Sequence, residues 1–199
     1  MYKKYVKRLI DIILSTIGMP FFVAAVIIVA PIIYISDKGP VFYNADRVGK
    51  DGKIFKMYKF RSMKVNAPDI RLADGSTFNC ENDPRVTKIG RVLRKTSVDE
   101  LPQILNVFCG NMSLVGPRPN LPTVPYSELD EQHKHRLKVR PGITGYNQAY
   151  FRNSVGAERR TKNDNYYVDN LSFFLDVKIL IRTFVSVLKK ENIYISEKK

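Results

Sequence analysis

From Ile12 to Ile35 the chain runs for 24 residues without a charged side chain. As a straight helix rising ~1.5 Å per residue, this stretch measures ~36 Å, enough to cross a hydrocarbon core of ~30 Å. A segment so apolar must be covered by protein or placed in lipid, and either choice constrains everything that follows it. Asp11 stands at its head and no small-residue cleavage site succeeds it, so it does not read as a removed leader.

The flanks resist a simple crossing. Lys3, Lys4, Lys7 and Arg8 precede the segment, and Lys38, Arg47 and Lys50 follow it; basic flanks hold to the cytoplasmic face, so both ends ask for the same side. Pro20 offers a way to satisfy them. An internal proline removes one backbone hydrogen bond and clashes with the preceding turn, and Ser15, Thr16 and Gly18 lie just upstream. A kinked spanning helix fits the same residues, since membrane helices tolerate proline. Near the other end, Phe173, Val177, Leu180, Ile181, Phe184, Val187 and Leu188 share one helical face, with Lys178, Arg182 and Lys189 opposite. Such a stripe belongs to a helix facing a core or to one lying in a membrane interface.

The 199 residues suffice for one domain with a sizeable core. With 33 Lys and Arg against 19 Asp and Glu, the formal charge is +14, which calls for phosphate-rich partners: nucleic acid, anionic lipid or a nucleotide. The apolar segment and the lack of a nucleic-acid recognition motif argue against the first. Cys80 and Cys109 have no His or Cys neighbours at metal-ligand spacing, so neither zinc nor a disulfide framework is indicated.

Between the two ends, "VFYNADRVGKDGKIFKMYKFRSM" reads as two short strands around a turn at Asp51-Gly52. Residues 66–84 are turn-rich and read as a surface loop. "RVTKIGRVLRKT" is a basic helix candidate. Ser97 with Glu100 three residues later makes a capping-box pattern, predicting a helix from there to about Phe108, with Gly110 beyond its end. Carboxylates in such a first turn complement the helix dipole, which is a structural role in itself. The neighbours suggest more: Arg85, Arg91, Arg94 and Lys95 come just before Asp99 and Glu100, and "GPRP" places Arg118 in a proline-stiffened turn suited to bidentate phosphate recognition.

The set "KRLID", "YKFRSM", "TSVDELPQILNV", "MSLVGPRP" and "VRPGITG", in this order from about Lys3 to Ile193, resembles the bacterial sugar transferase family, and within it the small monotopic phosphoglycosyl transferases. The resemblance implies a mixed, helix-rich α/β fold: a re-entrant membrane helix over 1–36, a compact catalytic domain on the membrane surface over 37–199, and amphipathic interfacial helices. It implies transfer of a sugar 1-phosphate from a UDP-sugar to polyprenyl phosphate, usually undecaprenyl phosphate, with UMP released. Asp99 is then the nucleophile and Glu100 its acid/base or metal-assisting partner, the two serving Mg²⁺. Lys59, Arg94, Arg118 and Arg152 are the phosphate-binding candidates, although the residues around Arg152 depart from the family's frequent Asn-Gly-Arg. Lys7, Arg8, Asp11 and Pro20 would govern membrane re-entry, with Met19 standing where a serine often precedes the proline. Both termini and the site are expected at the cytoplasmic face of the bacterial inner membrane, among phospholipids and without nucleic acid. The chain looks like a minimal catalytic form, and Asp164, Tyr166 and Tyr167 match a family pattern without an assigned role. A non-enzymatic basic membrane anchor would share the charge and the apolar segment, but would not need "DELPQ" and "GPRP".

Overall fold

The computed structural model describes residues 1–70, 80, 82–151 and 154–189. Arg152 therefore lies outside the described residues, as does most of the expected surface loop. The fold is mixed α/β and rich in helix. A π-turn at Tyr2–Val6 leads into α1 (Lys7–Ser36), then β1 (Phe42–Val48) and β2 (Ile54–Phe60). α2 (Lys88–Thr96), α3 (Gln103–Cys109), β3 (Ser113–Val115), α4 (Glu131–Arg136) and β4 (Gly142–Thr144) follow, and α5 (Tyr146–Tyr150), α6 (Ala157–Asn170) and α7 (Phe173–Leu188) complete it.

β1 and β2 form the expected antiparallel hairpin, from Val48 opposite Ile54 to Phe42 opposite Phe60. Asp51 and Gly52 take the left-handed conformation at its turn, with φ of 54° and 77°. β3 and β4 pair in parallel, Ser113 opposite Gly142 and Val115 opposite Thr144. Glycines make the approach beyond this pair possible. A Cβ on Gly145 would sit 2.0 Å from the Gly116 carbonyl oxygen, and one on Gly142 would sit 2.1 Å from the Gly116 nitrogen. The motifs "VGPRP" and "PGITG" are thus two halves of one backbone junction.

α1 continues without interruption through Pro20 and Pro31. It rests on the domain along a narrow stripe: Phe22, Val29 and Ile33 pack with Phe60 and Leu93. Ile13, Ile17, Phe21, Ile27, Ile28 and Ile35 are exposed, and the helix is long and apolar enough to cross a membrane. Both of its ends are tied to the same domain. The Arg8 guanidinium donates to the carbonyls of Val107 and Phe108, at 2.6 and 2.8 Å, capping the end of α3. Buried Asp11 accepts from Ser113 Oγ and the Leu114 N–H, each at 3.0 Å. At the far end, Asp37 accepts from Arg61 Nη1 at 2.9 Å and the Val65 N–H at 2.8 Å. Lys7 donates to the buried Asp176 carboxylate of α7 at 2.7 Å, and the Tyr2 hydroxyl reaches the same oxygen at 2.5 Å.

On α7 the side toward the domain carries Asp176, Ile179 and Ser186, whereas Phe173, Phe174, Ile181 and Phe184 are exposed. Of the apolar stripe, Phe173, Ile181 and Phe184 thus face outward, while Val177, Leu180 and Val187 are half-buried. The capping box did not form. Ser97 instead ends α2, in the left-handed region at φ 58°, with no side-chain capping bond, and Val98–Glu100 make a 3₁₀ turn before α3 begins at Gln103. One residue cannot close one helix in that conformation and also cap the next with extended backbone. Gly110 does close α3, at φ 86°.

Candidate active site

The dyad sits on the short 3₁₀ turn between two helices, at the end of β2. Phe55 and Met57 of β2 are buried, and Lys59 falls two residues further along the same face. A lysine there must find a counter-charge or lose hydration without return. It finds Glu100: Lys59 Nζ donates to Glu100 Oε1 at 2.7 Å, the side chains being 18% and 30% exposed. Arg94, in the last turn of α2, donates from Nε to Ser62 Oγ at 3.0 Å. Ser62 is itself fixed, because its carbonyl accepts from the Thr87 N–H at 3.1 Å. Gly90 lets α2 come this close, since a Cβ there would sit 1.9 Å from the same oxygen.

Asp99 is 9% exposed. Burial and then the charge of Glu100 push its carboxyl up to about 6, against the pull of Lys59 and Arg94. Asp99, Glu100, Lys59 and Arg94 are thus brought together: a buried carboxylate, a second carboxylate already engaged, and two cations. Among the described residues no group of three or more His, Cys, Asp or Glu side chains could hold a metal. What the chain can offer is this pair of adjacent carboxylates, Asp99 and Glu100. That suits Mg²⁺, which commonly takes one or two carboxylates and fills its shell from phosphate oxygens and water.

Arg118 belongs to a neighbouring arrangement. Its side chain is exposed, and it acts electrostatically on Asp164, whereas the charges acting on Asp99 are those of Glu100, Lys59 and Arg94. The Arg118 carbonyl accepts from Arg136 Nη2 at 2.8 Å, and Arg136, 3% exposed, is ion-paired to Asp164, 1% exposed. Burial pushes the Asp164 carboxyl up to about 6 although Arg136, Arg160 and Arg118 all draw it down. Asp164 therefore anchors the arginine that braces the "GPRP" turn. Tyr167 has a structural place too: its buried hydroxyl lies 3.0 Å from the Val115 carbonyl and 2.8 Å from Asp176. Tyr166 is exposed and packs at a tilt against Tyr146, with ring centroids 4.9 Å apart. Sequence reasoning missed Ser62 and Arg136. "FRSM" held the signal for the first, while nothing local marks the second.

Arg118→Ala is expected to lower turnover at this candidate site far more than Arg47→Ala, by ~10-fold or more against less than ~2-fold. The first removes a guanidinium from a braced turn, and the second alters a side chain on the hairpin. Equal losses in equally folded proteins would deny the turn a special role.

The chain is 42% identical over 191 residues to the galactosyl transferase CpsE of Streptococcus agalactiae serotype III (strain NEM316), covering 92% of this chain and 42% of that protein. It is 40% identical over 187 residues to the UDP-glucose:undecaprenyl-phosphate glucose-1-phosphate transferase of Escherichia coli (strain K12), covering 90% and 39%. Against the uncharacterized sugar transferase EpsL of Bacillus subtilis (strain 168) it is 41% identical over 188 residues, covering 94% and 89%. The chain thus spans less than half the length of the first two and most of the third. The profile described as bacterial sugar transferase matches residues 2–190, and the chain belongs to that family.

Proposed function

We propose that the protein transfers a sugar 1-phosphate from a UDP-sugar to undecaprenyl phosphate. The observation that carries this reading is Asp99 itself: a nearly buried carboxylate whose neighbours Lys59 and Arg94 are cations and whose partner Glu100 is held by Lys59. Asp99 reacts as its carboxylate, the form that Lys59 and Arg94 favour. An Asp99 oxygen attacks the β-phosphorus, the bond to the bridging oxygen breaks, and UMP leaves with that oxygen and the electron pair. An oxygen of undecaprenyl phosphate then attacks the same phosphorus and frees Asp99. Splitting one displacement into two through an acyl phosphate is ordinary nucleophilic catalysis. Lys59 and Arg94 offset the repulsion between the carboxylate and the phosphoryl oxygens, and Arg118 on its braced turn is a second phosphate contact. Glu100, oriented by Lys59, holds or moves a proton at the departing or arriving oxygen. Mg²⁺, held by Asp99 and Glu100, would supply charge neutralisation at the diphosphate.

The fastenings of α1 support a reading of the membrane arrangement. Arg8 and Asp11 at one end and Asp37 at the other grip a single domain. If that domain stays in water, both ends of α1 lie on one side of the bilayer. We read α1 as re-entrant on the cytoplasmic face, with exposed Phe174, Ile181 and Phe184 of α7 resting in the interface among phospholipids. The test is UMP release by purified protein in lipid nanodiscs with Mg²⁺, undecaprenyl phosphate and a panel of UDP-sugars that includes UDP-glucose and UDP-galactose. Turnover that requires the lipid acceptor is expected with at least one donor. No UMP from any donor, with the protein folded in the nanodiscs, would favour a basic membrane anchor instead. Cysteine labelling in intact cells checks topology: Met1 and the region after Ser36 are expected to be protected alike from the outside.

A further inference from the structure

Among the described residues β2 has one strand neighbour, β1, so the backbone groups on its other edge need partners. Two of them, the Lys56 carbonyl and the Tyr58 N–H, flank Met57 and point the same way, as the carbonyl of one residue and the amide of the next but one do in any strand. Both are satisfied by one side chain. Asn106 of α3, fully buried, accepts from the Tyr58 N–H through Oδ1 at 2.9 Å. Its Nδ2 donates to the Lys56 carbonyl at 2.7 Å. The carboxamide thus stands where the peptide group of a third strand would stand, offering the same donor and acceptor.

Position gives this bridge its consequence. Lys59 is the residue after Tyr58, and α3 follows directly on the turn that carries Asp99 and Glu100. The strand bearing the cation and the helix adjoining the carboxylates also share apolar clusters, Phe55 and Met57 with Val107 in one and Phe60 with Ile104 and Leu105 in another, but such packing allows sliding that a two-point hydrogen bond does not. α3 is itself anchored at its far end by Arg8. We infer that Asn106 is a positioning residue for the transfer reaction: its carboxamide locks β2 to α3 in the register that delivers Lys59 to Glu100.

This rests on the reading of Asp99 and Glu100 as the reacting pair, and the experiment separates the two. Turnover is measured for the wild type, Asn106→Leu, Lys59→Met and the double variant, with undecaprenyl phosphate and the UDP-sugar found active in the panel, alongside thermal unfolding of each protein. Asn106→Leu is expected to lower kcat by ~10- to 100-fold, the scale on which small misplacements of a catalytic group are felt. In the Lys59→Met background the same change should cost less than ~3-fold, because the side chain it positions is already gone. A merely structural role predicts the full penalty in both backgrounds. That additive result overturns the inference, and so does Asn106→Leu turnover within ~2-fold of wild type. Should Asn106→Leu fail to fold, Asn106→Ser replaces it, a neutral hydroxyl too short to bridge both backbone groups. The same non-additivity is expected, and an additive loss overturns the inference equally. If Lys59→Met and Glu100→Gln both turn over like wild type, the reading of the dyad itself falls.

Discussion

Asp99→Asn is expected to leave a folded, membrane-bound protein that releases no UMP and carries no phosphosugar. Incubated with an active UDP-sugar and Mg²⁺ but no lipid acceptor, the wild type should release up to one UMP per active site and retain a mass increment on the peptide containing Asp99. Covalent catalysis completes its first half alone. The asparagine side chain matches the carboxylate in shape but is a poor nucleophile, so the steady-state loss should reach ~10⁴-fold or more, as for other covalent nucleophiles. Folding should not suffer: burial disfavours the charge on Asp99 and already holds its carboxyl up to about 6, so the neutral amide removes a cost. Glu100→Gln should keep the fold and slow turnover, because Lys59 then faces an amide rather than a carboxylate. An adduct on any other residue, or normal turnover by Asp99→Asn, would overturn the assignment of the nucleophile.

The chemistry was more legible in the sequence than the geometry, for a physical reason. Asp99, Glu100 and Arg94 lie within seven residues, so their meeting needs only a turn. Lys59 was recoverable because "YKF" ends a strand whose alternation puts that lysine on the buried face. The hairpin at Asp51-Gly52 was written in its turn residues. Ser97 misled because Ser-x-x-Glu marks a helix start, while "RVLRKT" before it needed a helix stop at the same residue, and the stop prevailed. The fastenings were hidden by distance along the chain. Asn106 meets Tyr58 at a separation of 48 residues, Asp11 meets Ser113 at 102, and Lys7 meets Asp176 at 169. No local pattern announces such pairs. The proline in α1 drew attention to a break, yet what relates the two ends of that helix is the set of polar bonds each makes to the same domain.

Arg136→Met should be the most destabilising single change among the charged residues near the site. Arg136 and Asp164 are both buried and paired to each other, and Arg136 also braces the Arg118 carbonyl. Removing one partner of a buried pair strands the other charge, at about 3–5 kcal/mol, which corresponds to a fall in Tm of roughly 6–20 °C for a chain of this size. The loss should depend on pH in a definite direction. The carboxyl of Asp164 is already raised to about 6 in the intact protein, above its ordinary value, so folding takes up a proton there. The stability this group contributes is fully present below its unfolded value and declines as pH rises through about 6. Without Arg136 the carboxylate is costlier still, its folded value moves further up, and protonation relieves more of the penalty. The Tm deficit of Arg136→Met should therefore be larger at about pH 7.5 than at about pH 5.5. Adding Asp164→Asn should recover part of it at the higher pH by removing the stranded charge. Thermal unfolding in nanodiscs across that range decides the matter: a deficit that is flat with pH, or one the second substitution deepens at about pH 7.5, would mean that Arg136 stabilises the fold by packing rather than by neutralising Asp164.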